Sequence, residues 1–202
     1  MNDDNLCIDN WRTLHDNGYF ENHPHYRNWK LDASAVAFQI MKYAGLYSTD
    51  DVLEIGCGYG RIMYAVSDHV NTVKGIDLHE APLKKAIEIL RVKPNTEVIM
   101  CTGQTIPLPD NTVDLVYSFS AMQHMPRSIV EKYLVEIIRV LKPGGRFCLQ
   151  FLSAPMGLED INPQKAQEQS VGWERNDLIN LASRHFKEFT VYAYPLILKG
   201  EV

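Results

Sequence analysis

Short apolar runs alternate with helical stripes along most of the chain. Runs at 51–55 (DVLEI), 72–76 (TVKGI), 97–101 (EVIMC), 113–119 (VDLVYSF) and 146–152 (RFCLQFL) have the length and continuity of buried strands. Between several of them, residues 60–68, 80–91 and 127–141 repeat apolar positions at helical spacing. The clearest stripe carries Ile129, Val130, Leu134, Ile137, Ile138 and Leu141, and Pro143-Gly144-Gly145 stops it. Upstream, 31–45 (LDASAVAFQIMKYAG) predicts a helix that Asp32 or Ser34 can cap and Gly45 closes. Downstream, 174–184 predicts one more helix, and 187–194 with 196–201 a terminal strand pair around Pro195. Strand–helix alternation of this kind predicts a parallel sheet covered on both faces. The stretch 153–173 has loop composition and about 20 residues, the length of a substrate lid or a plain connector.

Composition narrows the function classes. The 202 residues suffice for one domain, with 46% hydrophobic and 22% charged residues, as in soluble globular proteins. Net charge is −5 and no run of lysine or arginine occurs, which argues against a nucleic-acid partner. The longest apolar runs are far too short to cross a membrane, and MNDDNLCIDN does not read as a signal peptide, so a cytoplasmic protein is expected. Cys7, Cys57, Cys101 and Cys148 form no C-x-x-C pair and read as reduced thiols and small apolar fillers. His23 and His25 make an H-x-H in the aromatic segment 19–29 (YFENHPHYRNW), a weak metal signal; no metal is expected.

The chemistry concentrates in VLEIGCGYGR at 52–61. In an open parallel sheet the ligand sits beyond the carboxyl ends of the strands, where the first strand's turn lies. Gly56, Gly58 and Gly60 are spaced G-x-G-x-G, not the G-x-G-x-x-G of dinucleotide sites. Glu54 at the mouth of that turn would repel a pyrophosphate but suits a ligand bearing an amino group and a positive charge. Asp77, 17 residues after Gly60 and at the end of the next strand, stands where an acid accepts both ribose hydroxyls. An acid, a glycine turn and a ribose acid describe a nucleoside ligand without phosphates. Each also has a structural reading: a tight turn for the glycines, an edge charge for Glu54, a helix N-cap for Asp77.

Those residues resemble the class I S-adenosylmethionine-dependent methyltransferases. VLEIGCGYG matches the family's first motif, GIDLH the acid after the second strand, IPLPDNTVDLVYSFSAMQHM the passage through the fourth strand, and LKPGGRF the turn into the fifth. The resemblance implies an α/β fold: a Rossmann-like three-layer αβα sandwich with a mostly parallel seven-stranded sheet, order 3-2-1-4-5-7-6, the seventh strand antiparallel. The core is expected at 46–202, preceded at 1–45 by the lead-in helix and a segment whose density of aromatics and histidines at 19–29 suits a lid over the pocket. S-adenosylmethionine is the implied cofactor and S-adenosylhomocysteine its product. Glu54, Gly56, Gly58 and Gly60 would line the methionine and ribose portions, Asp77 the ribose hydroxyls, and Leu78 the adenine face.

Where many members carry an aspartate after the third strand, this chain reads Cys101-Thr102-Gly103-Gln104, so Thr102, Gly103 or Gln104 must supply the adenine contact. Ser118, Phe119 and Ser120 would face the cofactor; Gln123 and His124 would lean toward the acceptor. A neutral His124 could accept a proton from a hydroxyl or amine, or could simply hold the loop before Pro126. Tyr26 and Trp29 are candidates for the donor end of the pocket, and Arg61 for an acidic substrate group or an ion pair. No N/D-P-P-Y/F stretch follows the fourth strand, which points away from amino methylation of bases and toward O- or N-methylation of a small molecule. A non-catalytic nucleoside-binding protein and an NAD-type dehydrogenase are the alternatives on this sheet.

Overall fold

The computed structural model describes residues 28–154, 156, 157, 159, 170–193 and 195–202, with Thr13 alone ahead of them. Tyr26, His23 and His25, and most of the segment expected to cover the pocket, lie outside the described residues.

Helix α1 (Trp29–Ala44) ends at Gly45 and leads into β1 (Asp51–Ile55), α2 (Arg61–Val66), β2 (Thr72–Asp77), α3 (Glu80–Leu90) and β3 (Thr96–Met100). Next come β4 (Val113–Ser118), a 3-10 turn (Met122–His124), α4 (Arg127–Val140) and β5 (Leu141–Ser153). The chain closes with β6 (Gly172–Trp173), α5 (Arg175–Ala182), β7 (Glu188–Ala193) and β8 (Leu196–Glu201). The sheet order is β3-β2-β1-β4-β5-β8-β7, and β8 runs antiparallel to both of its neighbours. With the two-residue β6 set aside, this is the expected order; β6 is the difference, pairing Gly172 and Trp173 with Leu152 and Ser153 inside a stretch read as loop. Two residues are too few for any periodicity to announce them.

The central strands β1 and β4 form because their residues are buried on both faces. Val52 and Glu54 of β1 point to one layer and Leu53 and Ile55 to the other, as strand alternation requires. The first layer packs Ala37 and Ile40 of α1, Ile62, Met63 and Val66 of α2, and Leu83, Ala86 and Leu90 of α3. The second packs the predicted stripe of α4 with Leu178 and Leu181 of α5. Gly75 in β2 lets α2 lie close: a Cβ there would stand 2.3 Å from Met63 Sδ and 2.7 Å from Cys57 Cβ.

Pro143-Gly144-Gly145 is not the end of α4 but a bulge in β5. The helix stops at Val140, Leu141 pairs with Val113, and the next registered pair is Leu115 with Arg146.

In the last turn of α4, the Arg139 guanidinium gathers the 106–110 connector by donating to Ile106 O, Leu108 O, Asp110 and Glu136 at 2.7–2.9 Å. Glu136 Oε2 in turn accepts the Ile106 N–H at 2.8 Å, and Arg139 holds the Glu136 carboxyl below its ordinary range. Arg139→Ala is expected to lower stability by about 1–2 kcal/mol, the scale of a half-exposed charge-assisted network. Thermal unfolding of the variant measures it, and an unshifted midpoint would mean the connector is held by its apolar contacts alone.

Candidate functional site

The carboxyl ends of β1, β2 and β4 bring the predicted residues together. After Ile55 the chain turns back at once: the Gly56 and Cys57 N–H groups donate to Ile76 O at 2.9 and 3.0 Å. Gly56, Gly58 and Gly60 all hold positive φ (73°, 51° and 73°), which glycine adopts without steric cost. A Cβ on Gly58 would meet nothing within 4 Å, so the turn presents bare backbone to open space at that position.

Asp77 closes this turn from the neighbouring strand. Its Oδ2 accepts the Gly58 N–H at 2.9 Å, and its Oδ1 accepts the N–H groups of Leu78 and His79 at 2.7 and 3.3 Å. Burial pushes the carboxyl above its ordinary range, and those three amides pull it back toward the anion. The N-cap of α3 is His79, so Asp77 is not that helix's cap. Leu78 and Gln104 are half-buried, Thr102 is exposed, and Gly103 is buried at φ 82°.

Glu54 is 1% exposed and accepts a hydrogen bond from Tyr117 Oη at 2.8 Å. Burial pushes its carboxyl up to about 8, against the opposing pull of the Tyr117 hydroxyl and the Arg61 charge. A raised native value means the ligand-free fold is most stable where Glu54 is neutral, below the ordinary carboxyl range. Stability then drains away as pH rises toward 8. Glu54→Gln should therefore gain on the wild type from about pH 5 upward, with the gap levelling off above about pH 8. Unfolding curves across that range measure it; parallel curves would mean that Glu54 ionises freely.

Arg61 is engaged within the fold. Its guanidinium donates to Asp32 of α1, a mostly buried contact. Trp29, at the start of the same helix, sets its ring edge-on to Tyr64 of α2 at 5.2 Å between centroids. These contacts pin the first turns of α1 against the start of α2, beside the glycine turn.

Around β4 the placements differ by residue. Ser118 is fully buried and its Oγ donates to Ile55 O at 2.9 Å, which ties β4 to the end of β1. Phe119 is packed in the α1–α2–α3 layer. Ser120 is exposed at φ 62°, with its N–H held by Gln150 Oε1 at 3.0 Å. His124 Nε2 lies 3.1 Å from Gln123 Nε2, and its Nδ1 lies 3.2 Å from Ser170 Oγ. With the Gln123 amide nitrogen facing the ring, Nε2 is assigned as the acceptor and Nδ1 as the protonated nitrogen. Next to this pair, Arg127 donates to Glu159 O and Gly172 O and stacks over Trp173 at 4.0 Å. A separate cleft of about 460 Å³ lies at the opposite end of the sheet, among Arg146, Lys187, Glu188 and Lys199.

Sequence reasoning missed Tyr117, Asp32, Gln150, Ser170 and Arg127. Tyr117 had a signal, since any strand residue two positions before Phe119 shares its face. The other four depend on pairings across 29 to 46 positions of chain, which no local pattern carries.

Residues 53–149 match a family model described as a methyltransferase domain. Over those residues the chain is similar to the class I S-adenosylmethionine-dependent methyltransferases. The sterol 4-C-methyltransferase strm-1 of Caenorhabditis elegans is 30% identical to this chain, over 47% of the chain and 29% of that protein. The solved phosphoethanolamine N-methyltransferase 1 of Haemonchus contortus, in complex with phosphoethanolamine and S-adenosylhomocysteine, superposes with a TM-score of 0.72. It is 16% identical and covers 98% of this chain and 43% of its own. The PH0226 protein of Pyrococcus horikoshii superposes equally well, at 0.72, with 21% identity over 91% of this chain and 97% of its own. The two structural likenesses establish the fold. The chain spans about half or less of the length of the curated relatives it matches. Among the described residues no helix is long and apolar enough to cross a membrane, and no cluster of three metal-ligating side chains occurs.

Proposed function

We propose that this domain binds S-adenosylmethionine at the glycine turn and transfers its methyl group to the oxygen or nitrogen of a small molecule. One observation carries the reading: the turn that follows Ile55 presents bare backbone at Gly58 and is bonded there to Asp77, with Glu54 in the strand that leads into it. The residues fit the group. Gly58 leaves room for a ligand against its backbone, Asp77 Oδ2 retains a lone pair for a ribose hydroxyl, and Glu54 offers a carboxyl to a cationic amino acid end. When bound, the donor supplies a methyl carried on a sulfonium, which departs as a neutral thioether. The protein's share is orientation and the exclusion of water. Asp77 and the turn fix the nucleoside, while the 120–124 turn lies across the strand ends beside it.

Gln123, His124 and Ser170 form a polar group near the ends of β4 and β5 that suits a hydroxyl or an amine. In this reading His124 positions the Ser170 segment, because both ring nitrogens are already engaged; acting as a base would require Gln123 to release Nε2. His124→Ala is expected to lower kcat by about tenfold or less and to leave the pH–rate profile unchanged in shape. A loss of about 10²–10⁴ together with loss of an imidazole-like titration would make it the general base instead.

Two measurements test the reading as a whole. Calorimetry should show binding of S-adenosylmethionine and S-adenosylhomocysteine with NAD far weaker, and equal or tighter NAD binding would overturn it. A methyl-transfer screen against metabolite pools should yield a product one CH₂ heavier; cofactor binding without any such product would favour a non-catalytic binding protein.

A further inference from the structure

Glu54 and Tyr117 are a cross-strand pair, directly opposite in the parallel register of β1 and β4 and pointing into the same helix-covered layer. Tyr117 is fully buried, and its hydroxyl donates to Glu54 at 2.8 Å. The groups that act on Glu54 from the packed elements are few. From α2, Arg61 attracts, but its guanidinium is already bonded to Asp32 of α1. From β2, Asp77 repels. The neighbouring Cys57 thiol is buried and held protonated by its surroundings. The carboxyl is thus set among an acid, a neutral thiol and a shared cation, with the Tyr117 hydroxyl and, from the first turn of α2, the Met63 backbone N–H as its hydrogen-bond donors. Near pH 7 such a group ionises fully only when another positive charge arrives.

We propose that Tyr117 is a positioning residue for the donor site, aiming the Glu54 carboxylate at the cationic end of the methyl donor, so that donor binding expels a proton from Glu54. This rests on the function proposed above. The proton leaves the Glu54 carboxyl for solvent, and the carboxylate pairs with the ligand's ammonium. The raised carboxyl value of Glu54, about 8, agrees with a site that is mostly neutral near pH 7 before binding. Tyr117 acts in one direction: its hydroxyl favours the anion, so removing it makes ionisation harder.

The test is calorimetry of S-adenosylhomocysteine on the whole chain at pH 6–9, in paired buffers of different ionisation enthalpy. Glu54→Gln, which cannot ionise at this position, corrects for protons lost by the ligand itself. Wild type is expected to release several tenths of a proton more than Glu54→Gln at pH 7, and no more than it at pH 9. Tyr117→Phe should bind about tenfold more weakly at pH 7, with its affinity still climbing at a pH where the wild type has levelled off. Its melting point reports whether the variant is folded. If it is not, the wild-type and Glu54→Gln difference alone decides the proton release. Binding with equal proton exchange in wild type and Glu54→Gln would overturn the proposal while leaving the donor assignment intact. So would a Tyr117→Phe affinity profile parallel to wild type. No binding of the ligand at any pH would sink the donor assignment instead.

Discussion

Gly56→Ala is expected to abolish measurable donor binding, a loss of at least about 100-fold, and to destabilise the fold by about 3 kcal/mol. Two independent costs meet at this position. The backbone sits at φ 73°, where an L side chain is strained by about 1–2 kcal/mol. The new methyl would also stand 2.3 Å from Ala121 Cβ, far inside contact distance, and its neighbour is a short side chain on the backbone of the β4 turn. Something must move, and overpacking of this kind costs about 1–3 kcal/mol more. The movement separates the β1 turn from the 120–124 turn, the two loops that must hold donor and acceptor in line. Gly58→Ala provides the contrast. It also has positive φ, 51°, but no atom within 4 Å of the new methyl, so the free protein should lose only about 1–2 kcal/mol while the ligand is obstructed. Adding Ala121→Gly to Gly56→Ala should recover part of the stability, because it removes the collision but not the strain. Calorimetry and thermal unfolding of the four proteins read both effects. Normal melting and affinity in Gly56→Ala would mean that the two turns separate freely.

Asp77→Ala should weaken S-adenosylhomocysteine binding by at least tenfold and lower stability by about 1–3 kcal/mol. The ribose pair of charge-assisted hydrogen bonds is worth roughly 1.5–3 kcal/mol each at most. The second effect comes from the ligand-free contacts: the N–H groups of Gly58, Leu78 and His79 lose their carboxylate together. Leaving those amides without an acceptor is the costly outcome. Asp77→Asn separates the two roles. Its amide oxygen can still serve Leu78 and His79, but its NH₂ cannot accept from Gly58, so stability should recover more than affinity. If affinity is unchanged in both variants, Asp77 is a tether of the turn and not a ligand contact.

The repeat of strand and helix was written in the chain because each strand is apolar on both faces and each helix on one. Such runs can be satisfied only between layers. Glycine spacing, Glu54 and Asp77 were legible for a similar reason. Positive φ and close backbone approach leave few residue choices, and an acid at the end of an otherwise apolar strand needs a partner. The order of these features along 51–152 carried the family resemblance, and with it the sheet order.

What the chain order could not carry was partnership across it. Arg61 could have faced a ligand or an acid, and only the packing of α1 on α2 assigns it to Asp32. Pro143-Gly144-Gly145 spelled a helix stop, yet pairing with β4 draws the strand back through it as a bulge. Asp77 could have been a ribose acid or a helix cap, and only the packing of β1 beside β2 brings the glycine turn to rest on it. Glu54 as a lone acid in an apolar strand called for a partner, while the hydroxyl bonded to it belongs to a residue 63 positions away. Local sequence determined which residues needed a partner, since backbone strain and buried charge are paid where they arise. The tertiary structure decided which partner each received, because hydrogen bonds and ion pairs form between whatever groups the layers bring within about 3 Å.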